Sequence, residues 1–109
     1  MMTTEFLLSA VKSKLCIDSD YRLAKALEIN KNTVSAYRHR NINLGEHAST
    51  MVARLLNVPL HPIYVAMMVE RAQNDASRFA WMQIYEMVGG PEVEEFIRKT
   101  CFRWERAVA

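Results

Sequence analysis

Residues 18–40, DSDYRLAKALEINKNTVSAYRHR, constrain this chain more than any other stretch, because their apolar positions describe two short helices joined by a tight turn. In the first, Leu23, Ala24 and Leu27 recur at i, i+1 and i+4, and Arg22, Lys25 and Glu28 fall on the opposite side. One side is core and the other is water. Ile29 plugs the turn, Asn30 is placed to cap the second helix, and Val34 with Tyr37 supplies that helix's buried i, i+3 pair.

The outward face of the second helix follows from the helical period. With Val34 pointing inward, Asn32, Ser35, Ala36 and His39 occupy the outer arc and Lys31 and Arg38 its borders. These side chains suit the major groove: Asn pairs bidentately with adenine, Lys donates to guanine, Ser serves either base, and the Ala methyl meets the methyl of thymine. Between Ile29 and Gly45 there are three cations, Lys31, Arg38 and Arg40, and no carboxylate, so this segment is locally positive and attractive to phosphate.

The unit resembles the helix-turn-helix of the Cro and lambda-repressor family, with the motif at residues 20–39. Ala24 falls on the small residue where the two helices cross, Val34 on the buried β-branched position, and Leu23, Leu27, Ile29 and Tyr37 on the accompanying apolar positions. The family usually has Gly where this chain has Glu28, and Gly after the recognition helix where it has Arg40. Glu28 then has to end its helix at positive φ, which strains a residue with a side chain, and Asn41 is the residue suited to the left-handed conformation beyond the second helix.

The resemblance implies an all-α chain: a five-helix DNA-binding domain over residues 1–74, followed by a C-terminal two-helix extension over 75–109. Helix one is expected from Thr4 to Leu15, with Phe6, Leu7, Ala10, Val11 and Leu15 inward. Asn43 and Glu46 have capping-box spacing ahead of the stripe Ala48, Met51, Val52, Leu55 and Leu56, and Pro62 fits the first turn of a fifth helix that carries Ile63, Ala66 and Met67. Asp20-Tyr21, Leu23-Ala24, Tyr37-Arg38 and the ending Glu70-Arg71-Ala72 look like a group of small phage-related regulators within that superfamily.

Half of the chain's 109 residues are apolar, enough for a real core, and the formal net charge of +2 does not by itself announce a nucleic-acid partner. Distribution is more informative. Residues 1–74 carry nine Lys or Arg against six Asp or Glu, whereas 75–109 carry five against six, so the excess lies with the helix-turn-helix. Cys16 and Cys101 are far apart and have no partner at metal-ligand spacing, which argues against a disulfide framework or a zinc site. His39, His47 and His61 likewise lack metal spacing, and the seven methionines read as core filler. No cofactor is expected. The start of the chain does not read as a signal peptide and the apolar run Val58–Val69 is too short to span a bilayer, so a cytoplasmic, nucleoid-associated bacterial protein with no membrane role is expected.

After the polar connection at 74–77, Phe79 to Val88 is apolar nearly all round, Gly89-Gly90-Pro91 breaks it, and Val93, Phe96, Ile97, Cys101 and Trp104 follow helical spacing. Glu92, Glu94 and Glu95 suit the start of that second helix, and Arg103 and Arg106 its end. Residues 78–107 therefore form a helical hairpin, which must pack on its own domain or on a second copy; Trp81, Tyr85, Phe96, Ile97 and Trp104 are the expected dimerisation residues.

The resulting expectation is a transcriptional regulator, a repressor of phage or mobile-element type, that holds a palindromic operator in double-stranded DNA as a homodimer. Lys31, Asn32, Ser35, Ala36 and His39 would meet base edges, and Tyr21, Arg38, Arg40 and Asn43 would meet phosphates. The alternatives are a protein-interaction module, such as an antirepressor or adaptor using the hairpin, and an antitoxin that represses its own operon. Acidic Asp20 and Glu28 near the usual phosphate-facing edge favour the former. No Gly-rich phosphate loop, metal-ligand cluster or nucleophile with a matched base points to an enzyme.

Overall fold

Four polar side chains set the starts of four helices. In a computed structural model that describes residues 1–40 and 42–102, seven helices follow one another and no strand occurs among the described residues. They are α1 (Thr4–Leu15), α2 (Asp20–Leu27), α3 (Lys31–His39), α4 (Glu46–Leu56), α5 (Leu60–Arg71), α6 (Asp75–Met87) and α7 (Gly90–Cys101). Thr3, Ser19, Asn30 and Asn74 stand just before α1, α2, α3 and α6, and each side chain accepts a hydrogen bond from a first-turn N–H: Phe6, Arg22, Asn32 and Ser77 respectively. Asn30 is thus the cap its position implied. The polar stretch at 74–77 is not a separate linker, because Asn74 caps a helix that already begins at Asp75.

α4 starts differently from the capping box that Asn43 and Glu46 suggest. Gly45 is its N-cap, with no side-chain cap bond, and Asn43 lies one turn further out, where its amide donates to Glu70 Oε1 at 2.6 Å. The capping box that the Asn43 and Glu46 spacing predicts does not form, and α4 starts two residues later than that box would place it.

α1, α2 and α4 share one way of stopping. Cys16, Glu28 and Asn57 each adopt left-handed φ, at 56°, 56° and 60°. The next residue's N–H then reaches back to a carbonyl in the last turn: Ile17 to Lys12, Ile29 to Ala24, and Val58 to Ala53. This double hydrogen bond satisfies orphan carbonyls, and the apolar residue after each cap packs against the core. Glycine is the usual occupant of such a position, and a side chain there costs roughly 1 kcal/mol. Because the Glu28 side chain makes no ion pair among the described residues, Glu28→Gly should stabilise the fold by about 0.5 to 1 kcal/mol and raise Tm by about 3 to 6 °C, read by thermal melting.

One cluster of buried side chains runs through the whole body. Met2, Leu7, Leu8 and Val11 meet Leu23, Leu27 and Val34, then Leu44, Val52, Leu56, Ile63 and Met67, all at 2 % exposure or less. Leu15, expected inward, is exposed, because α1 ends there and turns away. Tyr85, Ile97 and Cys101 belong to the same cluster, so the hairpin supplies part of the core of the helices before it. α6 lies along α5, and α7 packs on α1 and α5. Arg98 stacks its guanidinium on the Phe6 ring at 4.9 Å, and Phe102 tilts against the same ring at 5.6 Å. The Cα radius of gyration, 13.7 Å, is close to the roughly 13 Å of a globule of about 100 residues, which fits a hairpin folded back onto the body.

This packing corrects the expected dimer contacts. Tyr85 is 4 % exposed and Ile97 is fully buried, so neither has surface left for a second chain. Trp81 is half-buried against the core, and Phe96 keeps 42 % of its surface exposed. Trp104, together with Asn41, Arg103 and Arg106, lies outside the described residues. Gly90 explains part of the hairpin's closeness: a Cβ there would run into the Tyr85 ring. Among the described residues no helix is long and apolar enough to cross a membrane.

Candidate nucleic-acid interface

α3 is held by its inner side. Val34 is fully buried and Tyr37 nearly so, while Lys31, Asn32, Ser35, His39 and Arg40 are exposed. Four of these five lie within the helix, inside an arc of about 100° at the helical period, and so share a face, and Arg40 follows at its end. Burial on α3 extends further round than the period from Val34 alone implies. Ala36 is 3 % exposed, leaving no surface for a thymine methyl, and it leaves the set of base-contacting candidates.

Arg38 leaves the set of phosphate contacts for an electrostatic reason. Its Nε and Nη2 donate to the Asp20 carboxylate at 3.0 to 3.3 Å, and its Nη1 donates to Glu5 at 2.9 Å. Lys12 closes the network with an ion pair to Asp20 at 3.0 Å. The cluster ties α1, α2 and α3 together. Two cations and two carboxylates balance in this network, so the Asp20 carboxylate at the start of α2 is paired and does not face solvent as a bare charge. Neither Lys31 nor Arg40 pairs with a carboxylate among the described residues.

The Arg38 guanidinium, with Lys12, holds the Asp20 carboxyl below its ordinary value of 3.8 against a smaller opposing effect of burial. A depressed carboxylate pKa stabilises the folded chain above the unfolded value, and that contribution disappears as pH falls through the folded value. Asp20→Asn should therefore lower the urea midpoint at pH 7 and leave it nearly unchanged at a pH well below 3.8. The effect is small, since the pair is partly exposed.

Behind α3, three further side chains fix the loop and turn that flank it. Glu70 accepts from the Thr4 backbone N–H, from Thr4 Oγ1 at 2.7 Å and from Asn43, so one carboxylate at the end of α5 secures both the start of α1 and the loop after α3. Arg71 donates to the Leu44 carbonyl at 2.9 Å. Asn43 is thereby committed to Glu70 and is withdrawn as a phosphate contact. On the other side, His47 Nε2 lies 3.2 Å from the carbonyls of both Leu27 and Glu28; since a carbonyl only accepts, Nε2 carries the proton and α4 clamps the turn between α2 and α3.

Tyr21 is 55 % exposed in the first turn of α2, with Lys25 Nζ 5.0 Å from its ring centroid, a position from which the hydroxyl is open to solvent. No group of three or more potential metal ligands occurs among the described residues. Comparisons with protein-family models, with curated proteins and with solved structures give no match. The functional reading rests on these residues alone.

The positioning groups Asp20, Glu70 and His47 were not evident as such in the sequence. Their partners lie between 8 residues away, as Lys12 does from Asp20, and 66, as Thr4 does from Glu70.

Proposed function

We propose that this chain is a sequence-specific DNA-binding regulator of the Cro and lambda-repressor type, with α2 and α3 as its helix-turn-helix and α3 lying in the major groove. The observation that carries the reading is the exposed face of α3: Lys31, Asn32, Ser35 and His39, followed by Arg40, with no carboxylate among them. Lys31, Asn32 and Ser35 read base edges from the N-terminal half of α3, and His39 assists further along. Arg40 and Tyr21 position the unit on phosphates at either side of the groove. The chain acts as a repressor by occupying promoter DNA and carries out no catalytic step.

Selection from a random duplex pool at two salt concentrations, followed by sequencing of the bound fraction, tests the reading directly. Enrichment of a defined site supports it. Salt-sensitive binding without enrichment replaces it with a nonspecific role, and absence of binding at either salt replaces it with a protein-interaction module. Arg40→Ala should weaken binding to every duplex alike and lower the slope of log affinity against log salt by about one, as loss of a single phosphate contact requires.

A further inference from the structure

A cavity of about 300 Å³ opens between the start of α4 and the second half of α5. Two opposite charges line it, Glu46 and Arg71, yet neither side chain forms an ion pair with the other or with any charged group among the described residues. Ser49, one turn into α4, lines the same cavity and is 1 % exposed, and its Oγ has no hydrogen-bond partner among the described residues. A buried hydroxyl left without a partner costs on the order of 1 to 3 kcal/mol, so a polar group brought to this floor would be held.

The start of α4 adds further donors. α1, α2, α3 and α6 each have a side chain on a first-turn N–H, whereas the N-cap of α4 is Gly45, which offers none, and a Cβ placed there would meet no atom within 4 Å. The first-turn N–H groups of α4 are thereby left for an outside acceptor at the positive end of the helix dipole. Arg71 donates through Nη2 to the Leu44 carbonyl at 2.9 Å, and the rest of its guanidinium fork is uncommitted among the described residues. Tyr64 and Met68 on α5 complete the wall with apolar surface.

We propose that this cavity binds an apolar α-amino acid as its zwitterion. The carboxylate takes the α4 N–H groups and the free edge of Arg71, the ammonium takes Glu46, and the side chain lies on Tyr64 and Met68. The Ser49 hydroxyl, free to rotate, donates to the carboxylate from the floor. Charge selects this class of ligand. A simple anion would meet Glu46, and a simple cation would meet Arg71 and the helix dipole, so only a ligand with both charges satisfies the cavity. The volume stands at the small end of ligand sites, which suits leucine, methionine or phenylalanine and leaves no room for a nucleotide. None of these residues belongs to the DNA-contacting set, so the site is independent of that reading.

Proton–nitrogen NMR titration of the intact chain without DNA tests it, with L-leucine, L-methionine and L-phenylalanine as probes. At least one should bind with a Kd between about 10 μM and 1 mM, the range open to so small a ligand, and move the amide signals of Gly45, Glu46 and Ser49. The deaminated and the decarboxylated analogue of the tightest binder, each lacking one charge, should bind about tenfold more weakly. Gly45→Asp separates binding from folding. The N-cap angles, φ −83° and ψ −169°, accept any residue, and Asp would cap α4 with its own carboxylate. This variant should keep or raise Tm and weaken binding by about tenfold or more. Absence of binding by all three amino acids at tens of millimolar, or signal changes confined to other regions, overturns the proposal. So does an analogue that binds as tightly as its amino acid, or binding indifferent to Gly45→Asp. Because no DNA is present, failure here leaves the DNA-binding reading intact, and failure of duplex binding leaves this result standing.

Discussion

Ile97→Ala is expected to destabilise the whole chain by about 3 kcal/mol, lowering Tm by about 12 to 24 °C. Ile97 is fully buried on α7, and truncation would remove apolar atoms from a cluster that includes side chains of α1, α4 and α5, leaving a cavity that rigid helices fill only in part. The informative part of the result is its shape. If the hairpin is core for the helices before it, urea transitions followed by far-UV circular dichroism and by tryptophan fluorescence shift together, as one cooperative unit does. A variant that loses the fluorescence transition early while most helical signal persists would instead make the hairpin an independent appendage.

The two sides of the hairpin show where sequence reading reaches its limit. Helix existence follows from local patterns: the Asn30 cap, the Leu23, Ala24 and Leu27 stripe, and the break at Gly89-Gly90 all act within a few residues. Orientation of α6 does not follow, because a helix that is apolar nearly all round gives no strong preference for which side turns inward. The choice of Tyr85 as the inward residue depends on Gly90, whose missing side chain admits the Tyr85 ring, and on Met2, whose backbone N–H lies 3.4 Å from the tyrosine hydroxyl. Neither contact has a local signature.

The same distinction separates the retained from the withdrawn candidates on α3. Exposure of Lys31, Asn32, Ser35 and His39 is a property of the helix period and was legible. Loss of Arg38 and Asn43 came from carboxylates 18, 27 and 33 residues distant, which compete for any exposed donor without leaving a spacing rule behind. Left-handed ends at Cys16 and Asn57 were equally hidden, since neither residue type demands that conformation. Glu28 was legible only through the family resemblance, which marks a turn position that glycine usually fills.

Asn32→Ala should cost about 1 to 3 kcal/mol of affinity for the selected duplex, a factor of about 5 to 150, and relax preference at a single base position. Asn32 stands in the first turn of α3, where its backbone N–H is already held by Asn30 at 2.7 Å, so the variant keeps the cap and loses only the exposed amide. That amide makes no hydrogen bond or ion pair among the described residues, and folding should not register the change. The cost arises in the complex. Once α3 enters the groove, an adenine edge that has given up water finds no replacement donor and acceptor, and an unmet polar edge is more expensive than an average hydrogen bond is favourable. Competition titrations against the selected duplex, its single-base variants and random DNA read the difference. Equal loss on all of them moves Asn32 to the phosphate contacts, and loss confined to one base position fixes the register of α3 on its site.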